Sequence, residues 1–255
     1  HRMNEVQPKM PNTPDNSRRQ FFTQAAFGSA LLSLAPGVRL IDLALAKQDD
    51  EPVTNQARWG MLVDTNRCAS GCNACVAACA DEHGLEDTGN PDTDTKWIHK
   101  VDLADEKTGR KVSLPLMCQH CDEPPCVPVC PTGASFKRAD GIVLVDKHTC
   151  IGCRYCMLAC PFDARSFIHE NLSDQRSYAP RGKGTVESCT LCVHRVDRNR
   201  TPACAEACAE AGHHALVFGD LNDENSDVSK ALQSGQSREL RPDLDLNTGV
   251  RYRGI

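Results

Sequence analysis

Sixteen cysteines stand in these 255 residues, and they fall into four groups of four with none left over. The first group is Cys68, Cys72, Cys75 and Cys79, spaced C-x3-C-x2-C-x3-C. The second is Cys118, Cys121, Cys126 and Cys130, spaced C-x2-C-x4-C-x3-C and followed by Pro131. The third is Cys150, Cys153, Cys156 and Cys160, spaced C-x2-C-x2-C-x3-C and followed by Pro161, and the fourth is Cys189, Cys192, Cys204 and Cys208, spaced C-x2-C-x11-C-x3-C. Only 5% of the residues are aromatic. A core so short of large side chains needs covalent or metal staples, and the cysteines are the means available.

The third group reproduces the C-x2-C-x2-C-x3-C-P run whose thiolates hold cubane iron–sulfur clusters. A cubane needs thiolates at the corners of a tetrahedron. A tight loop with ligands three residues apart wraps three corners, and the fourth cysteine, on a short helical turn, points away and ligates a neighbouring cluster. Three other uses of cysteine compete. Disulfides are common in exported chains, but C-x2-C neighbours bridge poorly. Zinc ribbons use two C-x2-C pairs separated by a longer loop, unlike the third group. Haem attachment needs C-x2-C-H, and no C-x2-C pair here is followed directly by histidine. The spacing therefore predicts four 4Fe–4S clusters, each held by four cysteines.

Groups two and three adjoin in sequence and are expected to form one unit, closed by groups one and four as a second. Cross-ligation then predicts Cys68, Cys72, Cys75 and Cys208 on one cluster, and Cys79, Cys189, Cys192 and Cys204 on another. It puts Cys118, Cys121, Cys126 and Cys160 on the third, and Cys130, Cys150, Cys153 and Cys156 on the fourth. Four clusters each made by one sequential tetrad is the competing arrangement.

The stretches between cysteines read as short strands. Leu62-Val63-Asp64 before Cys68 repeats as Leu144-Val145-Asp146 before Cys150 at the same offset, so Trp59–Val63 and Ile142–Val145 are strands feeding cysteine loops. Ala134–Lys137, Arg165–His169 and Ala215–Phe218 follow fourth cysteines. Asp140-Gly141 reads as a hairpin turn, and Trp97–Leu103 with Lys111–Leu116 as a second hairpin around the loop Asp105–Arg110. The fold class expected is α+β: two bacterial-ferredoxin-like two-cluster units with short strands, hairpin insertions and extended loops. Residues 55–95 with 185–222 would make the first unit and 96–184 the second. Residues 223–255 form a tail, with Leu221–Asn225 polar before it, a helix over Ser226–Gln233, and an extended Arg238–Ile255 along the surface or against a partner.

At the other end, Ser17-Arg18-Arg19-Gln20-Phe21-Phe22 precedes a mild apolar run to Leu34, and Ala44-Leu45-Ala46 supplies an A-x-A site. Residues 1–46 are expected to be a twin-arginine (Tat) export signal, giving a periplasmic protein. The apolar run, about 14 residues, falls short of the roughly 20 a membrane span requires. A formal charge of −5 and a pI near 6.0 argue against nucleic acid as a partner. No nucleotide-binding glycine motif and no nucleophile signature accompany the cysteines, so a non-catalytic electron carrier is expected.

The motifs Cys118-Gln119-His120-Cys121-Asp122-Glu123-Pro124-Pro125-Cys126, Cys150-Ile151-Gly152-Cys153-Arg154-Tyr155-Cys156 and Cys189-Thr190-Leu191-Cys192 with His194-Arg195 carry a resemblance. The chain resembles the four-cluster iron–sulfur subunits of the molybdoenzyme and NrfD-linked membrane complexes. Over Gly152–Cys160, Ala164–Glu170 and Gly249–Ile255 it looks most like the DsrO type, from the Dsr transmembrane complex of sulfur metabolism. That resemblance implies electron transfer beside an NrfD-like integral membrane subunit and further redox subunits. The alternative it allows is the electron-transfer subunit of a molybdopterin oxidoreductase such as a polysulfide, tetrathionate or sulfite enzyme. One departure from the family pattern is the residue inserted between Cys68 and Cys72, where Gly71 can take up a bulge and Ser70 is a loop residue. Arg154, Arg165, Arg195 and His194 lie near ligands in sequence and are candidates to offset cluster charge. His120 is a candidate hydrogen-bond donor to a cluster sulfur.

Overall fold

The computed structural model describes residues 52–255 apart from 86 and 174; the expected export signal lies outside them. The central strand is β1 (Trp59–Asp64), and its run Gly60–Asp64 is buried throughout. An apolar run without alternation needs cover on both faces and both edges. The edges are filled by β8 (Leu216–Asp220), antiparallel to β1, and β9 (Val250–Arg253), parallel to it. Gly60 permits this closeness, because a Cβ there would lie 2.5 Å from the Gly249 carbonyl oxygen.

The rest of the sheet structure is three separate hairpins. β2 (Ile98–Ala104) pairs with β3 (Lys111–Met117) through seven residue pairs, the hairpin expected around Asp105–Arg110. β4 (Ser135–Lys137) and β5 (Val143–Val145) meet across the Asp140-Gly141 turn. Gly141 takes φ +87° there, and Arg138 pins the turn by salt bridges to Asp140 at 2.8 Å and Asp197 at 2.7 Å. β6 (Arg165–Phe167) pairs with β7 (Val186–Ser188). The α+β class stands.

Five helices complete the described residues: α1 (Ala74–His83), α2 (Tyr155–Leu158), α3 (Val193–Val196), α4 (Ala203–Glu210) and α5 (Asp227–Gln233). Ser226 caps α5, its hydroxyl oxygen accepting from the Ser229 N–H, as expected of a serine at that position.

The β6–β7 pairing joins residues 96–184 to residues 185–222. One expectation is corrected: the tail does not run along the surface. β9 completes the central sheet, and its Val250 and Tyr252 are 0% exposed. Charged residues alternating with apolar ones hid this, because a strand that enters a core late in the chain looks like any polar extended segment.

Candidate metal centre

Helical periodicity explains how the cysteines are dealt out. Cys75 and Cys79 on α1 are four residues apart, as are Cys204 and Cys208 on α4, so each pair lines one helix face one turn apart. α1 packs on α4. The nearest charge partners of the Cys75 thiol are Cys68 and Cys208, and those of the Cys79 thiol are Cys189, Cys204, Cys192 and Cys75.

Cys68, Cys72, Cys75 and Cys208 line one cavity together with Ala69, Ala74, Pro115 and Leu216. Cys130, Cys150, Cys153 and Cys156 line another. In each of these two cavities three thiols come from one motif and the fourth from another. Cys121 lies near Cys118, Cys126 and Cys160, and Cys204 near Cys189, Cys192 and Cys75.

These residues suit an iron–sulfur cubane. All sixteen cysteines are free thiols, so no disulfide competes for them. Among the described residues no group of three or more His, Cys, Asp or Glu side chains converges to single-ion spacing. The thiols instead surround a space, as the corners of a cubane require and a tetrahedral zinc at about 2.3 Å from each sulfur does not. Backbone N–H groups point at the sulfurs: Ser135 to Cys130 at 3.4 Å, Val186 to Cys150 at 3.4 Å, Leu191 to Cys189 at 3.4 Å and Ala215 to Cys208 at 3.2 Å. Such donors favour the thiolate and, in a bound cluster, the reduced state.

Without metal, most of these thiols are held neutral. Burial pushes Cys75 and Cys192 up to about 11 and Cys118 and Cys121 up to about 12, and Cys79 and Cys204 lie well above the ordinary thiol value. Cluster binding must therefore displace protons. Reconstitution of the cluster-free chain is expected to become more complete as pH rises from about 6 to 8.5, measured as iron retained after gel filtration. A loading that falls as pH rises across this range would contradict it.

Exposure differs among the cysteines. Cys79, Cys189, Cys192 and Cys204 are all buried, whereas Cys153 is exposed and Cys130 and Cys150 are partly so. The Cys153 loop depends on Gly152, whose φ is +69° and whose added Cβ would lie 2.1 Å from the Gly184 carbonyl oxygen. Gly152→Ala is expected to open this loop and lower the iron content by about four atoms, one cubane; full iron retention would sink the idea.

The structure sorts the predicted cations. Arg165 reaches a ligand directly, Nη2 donating to Cys126 Sγ at 3.0 Å. Arg195 instead pairs with Glu206 at 2.6 Å and with Glu82 at 3.6 Å, and His194 with Glu82 at 2.6 Å. Arg154 lies over the Phe167 ring, 4.9 Å from its centroid. His120 accepts the Val143 N–H on Nδ1 at 3.0 Å and is buried. Burial lowers its pKa to about 3, and its visible work is to tie the second cysteine loop to β5.

Two residues that sequence reasoning missed also serve the site. His83, 1% exposed, places Nε2 3.4 Å from Cys192 Sγ and packs on Trp97 with centroids 4.3 Å apart. Lys100 on β2 donates from Nζ to the Ala69 carbonyl at 2.7 Å and to that of Cys72, bracing the loop that carries the extra residue. Gly71 turns that loop at φ +77°. Lys100 and Cys72 are 28 residues apart, and no local signal joins them.

A 4Fe–4S dicluster domain model matches residues 110–220. The chain is 37% identical to Hdr-like menaquinol oxidoreductase iron-sulfur subunit 1 of Archaeoglobus fulgidus, over 92% of this chain and 97% of that protein. It is 36% identical to a tetrathionate reductase subunit of Salmonella typhimurium, over 94% and 89% of the two chains. It is 37% identical to the protein NrfC of Escherichia coli, over 91% and 92%.

Proposed function

We propose, from the premise that this chain belongs to the family of 4Fe–4S iron–sulfur subunits of molybdoenzyme and NrfD-linked oxidoreductase complexes, that it relays electrons through four clusters ligated as two crossed pairs. Its role is electron transfer, with substrate chemistry left to other subunits. A bound 4Fe–4S cluster supplies one-electron redox chemistry. This chain's residues hold the sulfurs, exclude water and set the charge around them.

The observation that carries the reading is the dealing of the thiols. The sets 68/72/75/208, 79/189/192/204, 118/121/126/160 and 130/150/153/156 each join two motifs, as supported by the two cavities and the facing thiols. In ligand terms, groups one and four then make one two-cluster unit and groups two and three the other, even though the backbone packs as one body.

The complex is taken to be of the Dsr type, with an NrfD-like integral membrane subunit as neighbour, on the periplasmic side after Tat export. Identity to the menaquinol oxidoreductase subunit over nearly the whole of both chains favours a quinol-linked complex. No helix among the described residues is long and apolar enough to cross a membrane. The alternative, a subunit of a molybdopterin enzyme acting on a sulfur oxyanion, is favoured by the likeness to the tetrathionate reductase subunit.

Anaerobic purification of the native complex, with iron and acid-labile sulfide analysis, tests both levels. About 16 irons per chain are expected from four cubanes; none would end the reading. A polytopic quinone-reactive subunit co-purifying without a large molybdopterin subunit supports the Dsr type, and a molybdopterin subunit the alternative.

A further inference from the structure

Arg165 differs from the other buried arginines in what it faces. Arg181 is held by Glu187 at 2.7 Å and Arg195 by Glu206 at 2.6 Å. Arg165, opening β6 and 4% exposed, has thiols around it. Nη2 donates to Cys126 Sγ at 3.0 Å, the helix that carries Cys156 packs on β6, and the guanidinium charge faces Cys118 and Cys156 as well. Its Nη1 is buried with no hydrogen-bond partner among the protein atoms. A buried guanidinium with an unused N–H group is costly unless negative charge is close. Clusters bound by these cysteines provide that charge.

Cys118 and Cys126 belong to one proposed set and Cys156 to the other. We propose that Arg165 is a counter-charge shared by the two clusters of this pair, raising both reduction potentials together; the inference rests on the ligand sets proposed above. A reduced cluster carries one more negative charge than an oxidised one. A fixed cation in a water-poor setting therefore favours reduction at each site it faces. The planar fork of arginine suits this position because it can address two sulfurs at once, which a lysine ammonium on a single point cannot do equally well. Arg165 is thus a positioning residue for electron flow, acting through the ligands.

The test is a potentiometric titration of the full holo-chain followed by electron paramagnetic resonance, on wild type and Arg165→Gln, Arg165→Met and Arg165→Lys. Both neutral variants are expected to lower two of the four reduction steps by at least tenfold in equilibrium constant, about 59 mV for one electron. The other two steps stay in place, and lysine restores most of the shift. Cys130→Ser and Cys160→Ser identify the steps, each altering a different one of the pair that moves. A shift confined to one step, a shift common to all four, or a lysine variant no better than glutamine overturns the proposal. So does loss of iron in both neutral variants, which would make Arg165 structural. If the two serine variants alter the same step, the ligand assignment has failed, an outcome readable apart from the arginine result.

Discussion

Cys118→Ala, Cys160→Ala and the double variant carrying both are expected to lose iron to the same extent, up to about four atoms each from a starting value near 16. Cys156→Ala combined with Cys160→Ala should lose about twice as much. The argument is one of shared occupancy. Two ligands of one cubane fail together, so the second deletion removes nothing further, whereas ligands of separate cubanes fail independently. Cys156 and Cys160 are one helical turn apart in one motif, yet Cys156 lines the cavity with Cys130, Cys150 and Cys153, and Cys160 is faced by Cys121. Sequential tetrads reverse the pattern: the 156/160 double would cost no more than a single, and the 118/160 double would cost two clusters. Iron and sulfide analysis decides between them without any measurement of activity.

The division between what could and could not be read from sequence follows contact range. A cysteine ligand announces itself because the next ligand is three or four residues away, and the loop between them has few conformations. The Asp140-Gly141 turn and the β2–β3 hairpin were legible for the same reason: pairing partners adjoin around a short turn or loop. What the sequence hid lies across the fold. His83 meets Cys192 over a separation of 109 residues, and Gln119 meets Tyr252 over 133. A lone histidine at a helix end and a tyrosine in a polar tail have no periodicity to mark them. Among the four cations nearest the motifs, sequence proximity picked out the right residue once. Arg165 turns to the sulfurs, while Arg195 has glutamates within reach and satisfies them first.

Tyr252→Ala is expected to be among the most damaging substitutions outside the cysteines. The ring is 0% exposed. Its hydroxyl accepts from Gln119 Nε2 at 3.0 Å and donates to the Pro115 carbonyl at 3.2 Å, joining β9 to the second cysteine loop and to β3. Burial holds this phenol well above its usual pKa, with Cys189 and Cys118 nearby, so it is neutral at any physiological pH. Those two cysteines belong to different proposed sets, which places the ring at the junction of the two cluster pairs. Removing it leaves a cavity worth about 3–5 kcal/mol by comparison with other buried aromatic truncations, and opens a path for water between the pairs. Tyr252→Phe keeps the packing and gives up only the hydroxyl's hydrogen bonds, about 1 kcal/mol each. Thermal bleaching of the iron–sulfur absorbance under anaerobic conditions should therefore move down on the order of 10 °C in the alanine variant and far less in phenylalanine. Equal midpoints for wild type and Tyr252→Ala would mean that the last strand is not part of the core that protects the clusters, and would return residues 238–255 to the surface role their composition suggests.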